Sequence, residues 1–257
     1  MEKELGILVK PPLKKSSEKA ARMLNRDCEA LFLNLPKSID HLVAEIPVGL
    51  DYRELVEEAR KRKLLPEPVE AWLKDSEPIL RKLKELGDSI LTYCYKDLTG
   101  FEMGVRTSHQ IALLTIRDTL RGKIDVKRWL EELKRENEAA REAVKREVEM
   151  MESEASVYDK SICLAGVEGR FFHEELKTRF KTWLKYIDQP YFFTPLEILK
   201  RELETKGEVS YERAHQLIRE HLKFIHDYVL TNELDDAYLK WVRKRFYWHP
   251  AVGEKNI

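Results

Sequence analysis

Four times along this chain a short apolar run is followed by a turn and then by a segment of helical periodicity, and that alternation constrains the fold more than any other feature. The runs are Gly6-Ile7-Leu8-Val9, His41-Leu42-Val43-Ala44-Glu45-Ile46-Pro47, Ser89-Ile90-Leu91-Thr92-Tyr93-Cys94-Tyr95 and Ser161-Ile162-Cys163-Leu164-Ala165-Gly166. Strands separated by helices favour a parallel sheet, because a parallel neighbour needs a crossover and a helix supplies one. The expected fold is a helix-rich α/β domain: a small, mainly parallel sheet, crossover helices and a C-terminal helical extension. In open sheets of this kind ligands collect beyond the carboxyl ends of the strands. The pattern places Glu45, Asp97 and Glu168 there.

Between the runs, helices announce themselves by spacing and by caps. Ala20, Met23, Leu24, Cys28 and Leu31 share one face and predict a helix from about Ser17 to Leu33. Asp51 with Glu54 forms a capping-box signature, and Gly87 closes a later helix. The polar stretch 96–104 reads as a loop, followed by a helix from Thr107 to Leu120. From Val126 to Glu154 a single helix of about 45 Å is expected. Its stripe of Trp129, Leu133, Val144, Val148 and Met151 is apolar, and its other face is charged, the pattern of solvent contact and i,i+4 pairing. The last run leads into a predicted helix over Arg170 to Tyr186.

Asp188-Gln189-Pro190 marks a boundary, so that residues 1–188 read as the α/β domain and 189–257 as a helical extension packed on it. Thr194-Pro195-Leu196-Glu197 starts the first helix of the extension, with proline at its first position and a capping box. Helices from about Ser210 to Val229 and from Glu233 to Tyr247 complete it.

Charge excludes some classes. The 257 residues carry 46 basic and 46 acidic side chains, so net charge steers the chain toward neither nucleic acid nor membrane. No run approaches the ~18 apolar residues of a membrane span. Met1-Glu2-Lys3-Glu4 lacks the basic-then-apolar pattern of a secretion signal. Cys28, Cys94 and Cys163 have no CxxC spacing, and two lie within predicted strands, so buried free thiols in a cytoplasmic protein are expected. The 36% of charged residues, with only 10 Gly, fits a protein from a hot environment, where ion-pair networks gain value.

Taken in order, residues from about Leu5 to Lys177 resemble the TraB, ChaN and erythromycin-esterase-like superfamily. The resemblance rests on the first strand and helix, on Leu42-Val43-Ala44-Glu45-Ile46-Pro47 (like the family's strand ending in Glu-x-Pro), on Lys145-Arg146-Glu147-Val148-Glu149-Met150 (like its Glu-Arg-x-x-x-Met helix segment), and on Ile162-Cys163-Leu164-Ala165-Gly166-Val167-Glu168-Gly169 (placed like its strand ending in Gly-x-x-His). Two departures matter: Val9-Lys10-Pro11-Pro12 stands where the family carries its first Gly-x-x-His, and Gly169 takes the place of the second histidine. The resemblance therefore implies a hydrolase-related domain with relocated chemistry, or one that binds a ligand without turnover. Glu45 is its central acidic group, and Arg146 orients that group or binds an anionic substrate. Hydrolysis, if retained, requires His109 or His173 as base.

Asp97, Arg106, Glu168 and Arg170 complete the candidate ligand-binding set. A carboxylate inside an apolar strand costs several kcal/mol unless paired, and Glu45 serves equally as one half of a structural ion pair with Arg146. Arg106 with His109, and Arg170 with His173, are expected near helix starts, where backbone N–H groups favour anions. No phosphate-loop or dinucleotide signature occurs, and no cofactor is expected. No metal site is expected either, since His215, His221 and His226 lack the i,i+4 spacing of ligands on one helix face. The partner expected is a small-molecule or peptide ligand, with a second copy of the chain as a further candidate. The rival class is a nucleic-acid- or protein-binding module in the helical C-terminal region. It rests on Arg243, Lys244 and Arg245 interleaved with aromatics from Trp241 to His249, a combination that grips phosphates and stacks bases.

Overall fold

The computed structural model describes residues 3–246 and 249. The chain divides into two compact units, Met1–Glu102 with Arg141–Gln189, and Met103–Ala140 with Pro190–Ile257.

The first unit is built on five strands: β1 (Glu4–Val9), β2 (Ala30–Pro36), β3 (Leu91–Lys96), β4 (Lys160–Ala165) and β5 (Lys181–Tyr186). All pair in parallel, in the order β3-β2-β4-β1-β5. The helix-rich α/β expectation holds. The helices of this unit are α1 (Lys14–Met23), α2 (Asp40–Ala44), α3 (Tyr52–Lys61), α4 (Val69–Leu73), α5 (Glu77–Leu86), the start of α6 (Leu98–Arg121), the end of α7 (Val126–Ala155), and α8 (Gly169–Leu176). Alternate strand residues point to opposite faces. Leu8, Leu31, Leu33, Cys94 and Leu164 pack with α1, α3 and α5 on one face. Leu5, Ile7, Phe32, Tyr95 and Cys163 pack with Met151 of α7 and Phe172 of α8 on the other.

Two strands differ from expectation. The run 41–47 is not a strand: α2 covers its first half, and Leu42, Val43 and Ile46 are buried while His41, Ala44 and Glu45 are exposed. That is helical spacing, mistaken for a continuous apolar run. The second strand is instead Ala30–Pro36, in the segment that looks like the end of the first helix. Asn25 stops that helix early, because its side chain accepts from the Asp27 backbone N–H in a tight turn. As a central strand, β2 is buried along almost its whole length, so it carries no alternation to betray it.

The predicted helix 170–186 likewise gives way after α8 to the edge strand β5, whose ends carry exposed Lys181 and Lys185. Gly6 of β1 is required by this pairing: a Cβ there would fall 2.0 Å from the Trp183 ring, which β5 lays across it. The Trp183 indole N–H then donates to Glu4 at 3.0 Å.

The second unit is helical. It contains the remainder of α6 and α7 together with α9 (Pro195–Lys206), α10 (Tyr211–Asp227) and α11 (Leu234–Arg245). Its core joins Ile111, Leu114, Trp129, Leu133, Leu199, Leu203, Leu217 and Ile218. The capping box read from sequence is present at Thr194 and Glu197, and Ser210, at the expected start of the next helix, caps α10 by accepting from the Arg213 N–H at 3.2 Å. Trp129 is fully buried, and its indole N–H donates to Asp118 at 2.9 Å. Among the described residues no helix is long and apolar enough to cross a membrane.

Candidate functional site

The sheet of the first unit reverses its winding direction. From β1 the chain steps to β2 and β3 toward one edge, then returns to β4 and β5. The neighbours β2 and β4 send their following helices to opposite faces, since α3 and α5 pack with Leu31 and Leu33 while α8 packs with Phe32 and Cys163. Their carboxyl ends therefore frame the kind of crevice in which open α/β sheets hold ligands.

The polar residues gathered there come from three strand ends. Glu168, two residues beyond Gly166 at the end of β4, is the hub. Its Oε1 accepts from Asn34 Nδ2 at 3.1 Å, from the Gly166 N–H at 3.2 Å and from the Tyr95 hydroxyl at 3.3 Å, and Lys96 Nζ lies 3.3 Å away. Its other oxygen, Oε2, lies 2.8 Å from where a Gly166 Cβ would stand, so any side chain at 166 would displace the carboxylate. Gly169 is needed as well: a Cβ there would sit 2.5 Å from Val9 and 2.9 Å from Ala165, blocking the approach of α8 to the sheet.

Lys96 bridges Glu168 to a second carboxylate. Its Nζ is 3.4 Å from Glu147 Oε2, and Glu147 Oε1 accepts from the Asp97 backbone N–H at 3.2 Å. Beside this pair, Arg146 donates through Nε and one terminal nitrogen to the two oxygens of Asp97, each at 2.9 Å. Asp97 in turn accepts from the Gly100 N–H at 2.9 Å and so caps α6. Consecutive residues 96–97 are thus gripped by consecutive residues 146–147. The contact is close because Gly100 faces Ala143, where an added Cβ would come within 2.4 Å.

Burial sets the protonation of the cluster. Burial raises the Glu168 carboxyl, but Lys96 and the backbone N–H groups of Glu168 and Gly166 outweigh it, so the group stays below the usual carboxylate range. Glu147, with a side chain only 2% exposed, goes the other way: burial pushes it up by more than Lys96 and the Asp97 N–H pull it down. Lys96 remains charged, since the two carboxylates overcome its own desolvation. Asp97 is lowered chiefly by Arg146. Two carboxyls pushed apart across one ammonium leave Glu168 a firmly ionised hydrogen-bond acceptor and Glu147 the group with the raised proton affinity.

Of the residues singled out from sequence, this cluster unites Asp97, Arg146 and Glu168. Arg170 stands exposed in the first turn of α8, and His173 on the same helix lies 3.6 Å from Glu174. Glu45 is exposed at the end of α2, so the desolvation that would have made it special is absent. Arg106 and His109 do not begin a helix. Asp97 caps α6 nine residues before Arg106, and both are exposed in its interior, where backbone N–H groups are already engaged.

Arg243, Lys244 and Arg245 are exposed in the last turn of α11, and Arg245 donates to Glu220 at 3.0 Å. Trp241 is 8% exposed and packs against Phe224 and Phe246 at 5.6 Å, a core anchor rather than a stacking platform. Tyr247 and Trp248 lie outside the described residues.

Sequence reading missed Asn34, Tyr95, Lys96 and Glu147. Glu147 left one trace: it falls midway between Ala143 and Met151 at i,i+4 spacing, a charge on a face that is otherwise buried. Among the described residues no group of three or more His, Cys, Asp or Glu is placed to hold a metal ion. No protein-family model matches the chain, and neither a curated protein nor a solved structure matches it.

Proposed function

We propose that this protein is a hydrolase-related α/β domain, similar to the TraB, ChaN and erythromycin-esterase-like proteins, that binds a small polar ligand at its strand ends without turning it over. The observation that carries this reading is Glu168, a largely enclosed carboxylate kept ionised, with Oε1 surrounded by donors and Oε2 beside a glycine. Such an oxygen accepts a hydroxyl or amine hydrogen from a ligand, and Lys96 stands on the same side to receive an acceptor atom.

Binding rather than turnover is supported by the company Glu168 keeps. Arg146 is committed to Asp97, and His109 and His173 stand outside the cluster. Three buried thiols, Cys28, Cys94 and Cys163, accord with a cytoplasmic location.

The test is native mass spectrometry of the full chain as purified, beside Glu168→Gln. The expected result is an added small-molecule mass on the wild type that is released on denaturation and lost in Glu168→Gln, with an unchanged circular dichroism spectrum. A bare wild-type mass, or an adduct that Glu168→Gln retains, overturns the proposal.

A further inference from the structure

The second unit contains a cleft of about 330 Å³ between α6, α9 and α10. Its walls are largely apolar, with Ile111, Ile116, Leu196 and Ile225 among them. Enclosed apolar spaces of roughly 150 Å³ hold benzene, so this one has room for a ring with substituents.

The polar groups of the lining are mostly spoken for. The Ser108 hydroxyl donates to the Gly104 carbonyl at 2.9 Å and that of Thr115 to the Ile111 carbonyl at 2.8 Å. Lys200 Nζ is held by both oxygens of Glu136, at 2.9 and 2.7 Å. His221 is different. It is 7% exposed, its ring stands edge-on to Trp129 at 5.7 Å, and its Nδ1 is closed to solvent with no hydrogen-bonding partner. A buried polar atom left without a partner in a native fold calls for an explanation.

We propose that this cleft binds a small apolar molecule bearing one hydroxyl group, an alcohol or phenol, which hydrogen-bonds to the His221 imidazole. The choice of ligand follows from charge. Burial, with Lys200 nearby, pushes the His221 pKa down to about 4, so the ring is neutral at ordinary pH. A neutral imidazole presents one donor and one acceptor nitrogen, and a hydroxyl, which both gives and takes, satisfies either tautomer. A charged ligand, ammonium or carboxylate, would be desolvated among aliphatic walls, with Lys200 already paired to Glu136 and offering it no free counter-ion. His221 itself lines the cleft, so its ring borders the space a bound molecule would occupy. Apolar walls supply the burial and a single polar group fixes orientation, the usual division of labour in small-molecule sites.

The test uses the full chain titrated with phenol and with toluene, its isostere without a hydrogen bond to give. Binding is followed by the His221 ring resonances in NMR, assigned by their loss in His221→Phe. Phenol is expected to shift these resonances saturably and to bind at least tenfold more tightly than toluene. His221→Phe is expected to erase that preference. Ala112→Trp, which fills the cleft from an exposed position of α6 and leaves the core untouched, is expected to abolish binding of both. Equal affinity for the two compounds, no saturable shift, or phenol binding that survives Ala112→Trp overturns the proposal.

Discussion

The strand-end cluster of the first unit and the cleft of the second both bury titratable groups, and they meet the cost in opposite ways. At the strand ends the buried groups are charged, so every one is answered: Lys96 stands between Glu147 and Glu168, and Asp97 is clamped by Arg146. In the cleft the buried group is an imidazole that escapes the cost by staying neutral, and its Nδ1 is left unanswered. A buried charge without a partner costs too much to persist, whereas a buried neutral nitrogen is affordable and keeps its capacity to recognise something. The charged cluster therefore has to be answered from within the fold, whereas neutrality lets the His221 nitrogen go without a partner.

The largest effect that sharpens this contrast is expected at Lys96. Lys96→Met leaves two enclosed carboxylates without their common counter-ion, and the loss expected is about 3–5 kcal/mol, read as a lowered urea midpoint at neutral pH. A loss below about 1 kcal/mol, the range of an exposed pair, would break the comparison by making the cluster an ordinary surface network.

The second effect is a pH dependence. With a folded pKa of about 4 against an ordinary 6.5, His221 is neutral in the fold over a range where the unfolded chain binds its proton. The unfolded state then holds more protons, so this stability is complete above pH 6.5 and is lost as pH falls toward 4, by about 3 kcal/mol. Urea unfolding followed from pH 7 to 4 is expected to be shallower in His221→Phe than in the wild type, and parallel curves would refute it. The smallest effect is at Glu45. Exposed at a helix end, it is expected to tolerate Glu45→Gln within about 0.5 kcal/mol, with any strand-end adduct in native mass spectra unchanged.

Much of the architecture was legible because local chemistry decides it. The capping boxes at Asp51 and Thr194, the long stripe of α7, and the buried runs of β1, β3 and β4 all form as read. The failures were also local in origin. Leu42, Val43 and Ile46 satisfy a helical face as well as a strand, and β2 continues the spacing of α1 past the Asn25 turn. Periodicity cannot choose between such readings in runs this short.

What the sequence determines by itself, then, is an alternation of strands and helices, the ends of its capped helices, and the presence of acidic residues near strand ends. Only the tertiary structure decides which of those acids matter. Glu168 and Glu45 are equivalent in one dimension. One lies at the crevice where β2 and β4 part, with Asn34, Tyr95 and Lys96 brought to it from as many as 134 residues away, and the other faces solvent. His221 and His226 lie on the same helix in the same way, and packing against Trp129 encloses the first while the second stays exposed. Burial and partnership are properties of packing between distant segments, and the desolvation that sets each group's charge exists only once those segments have met.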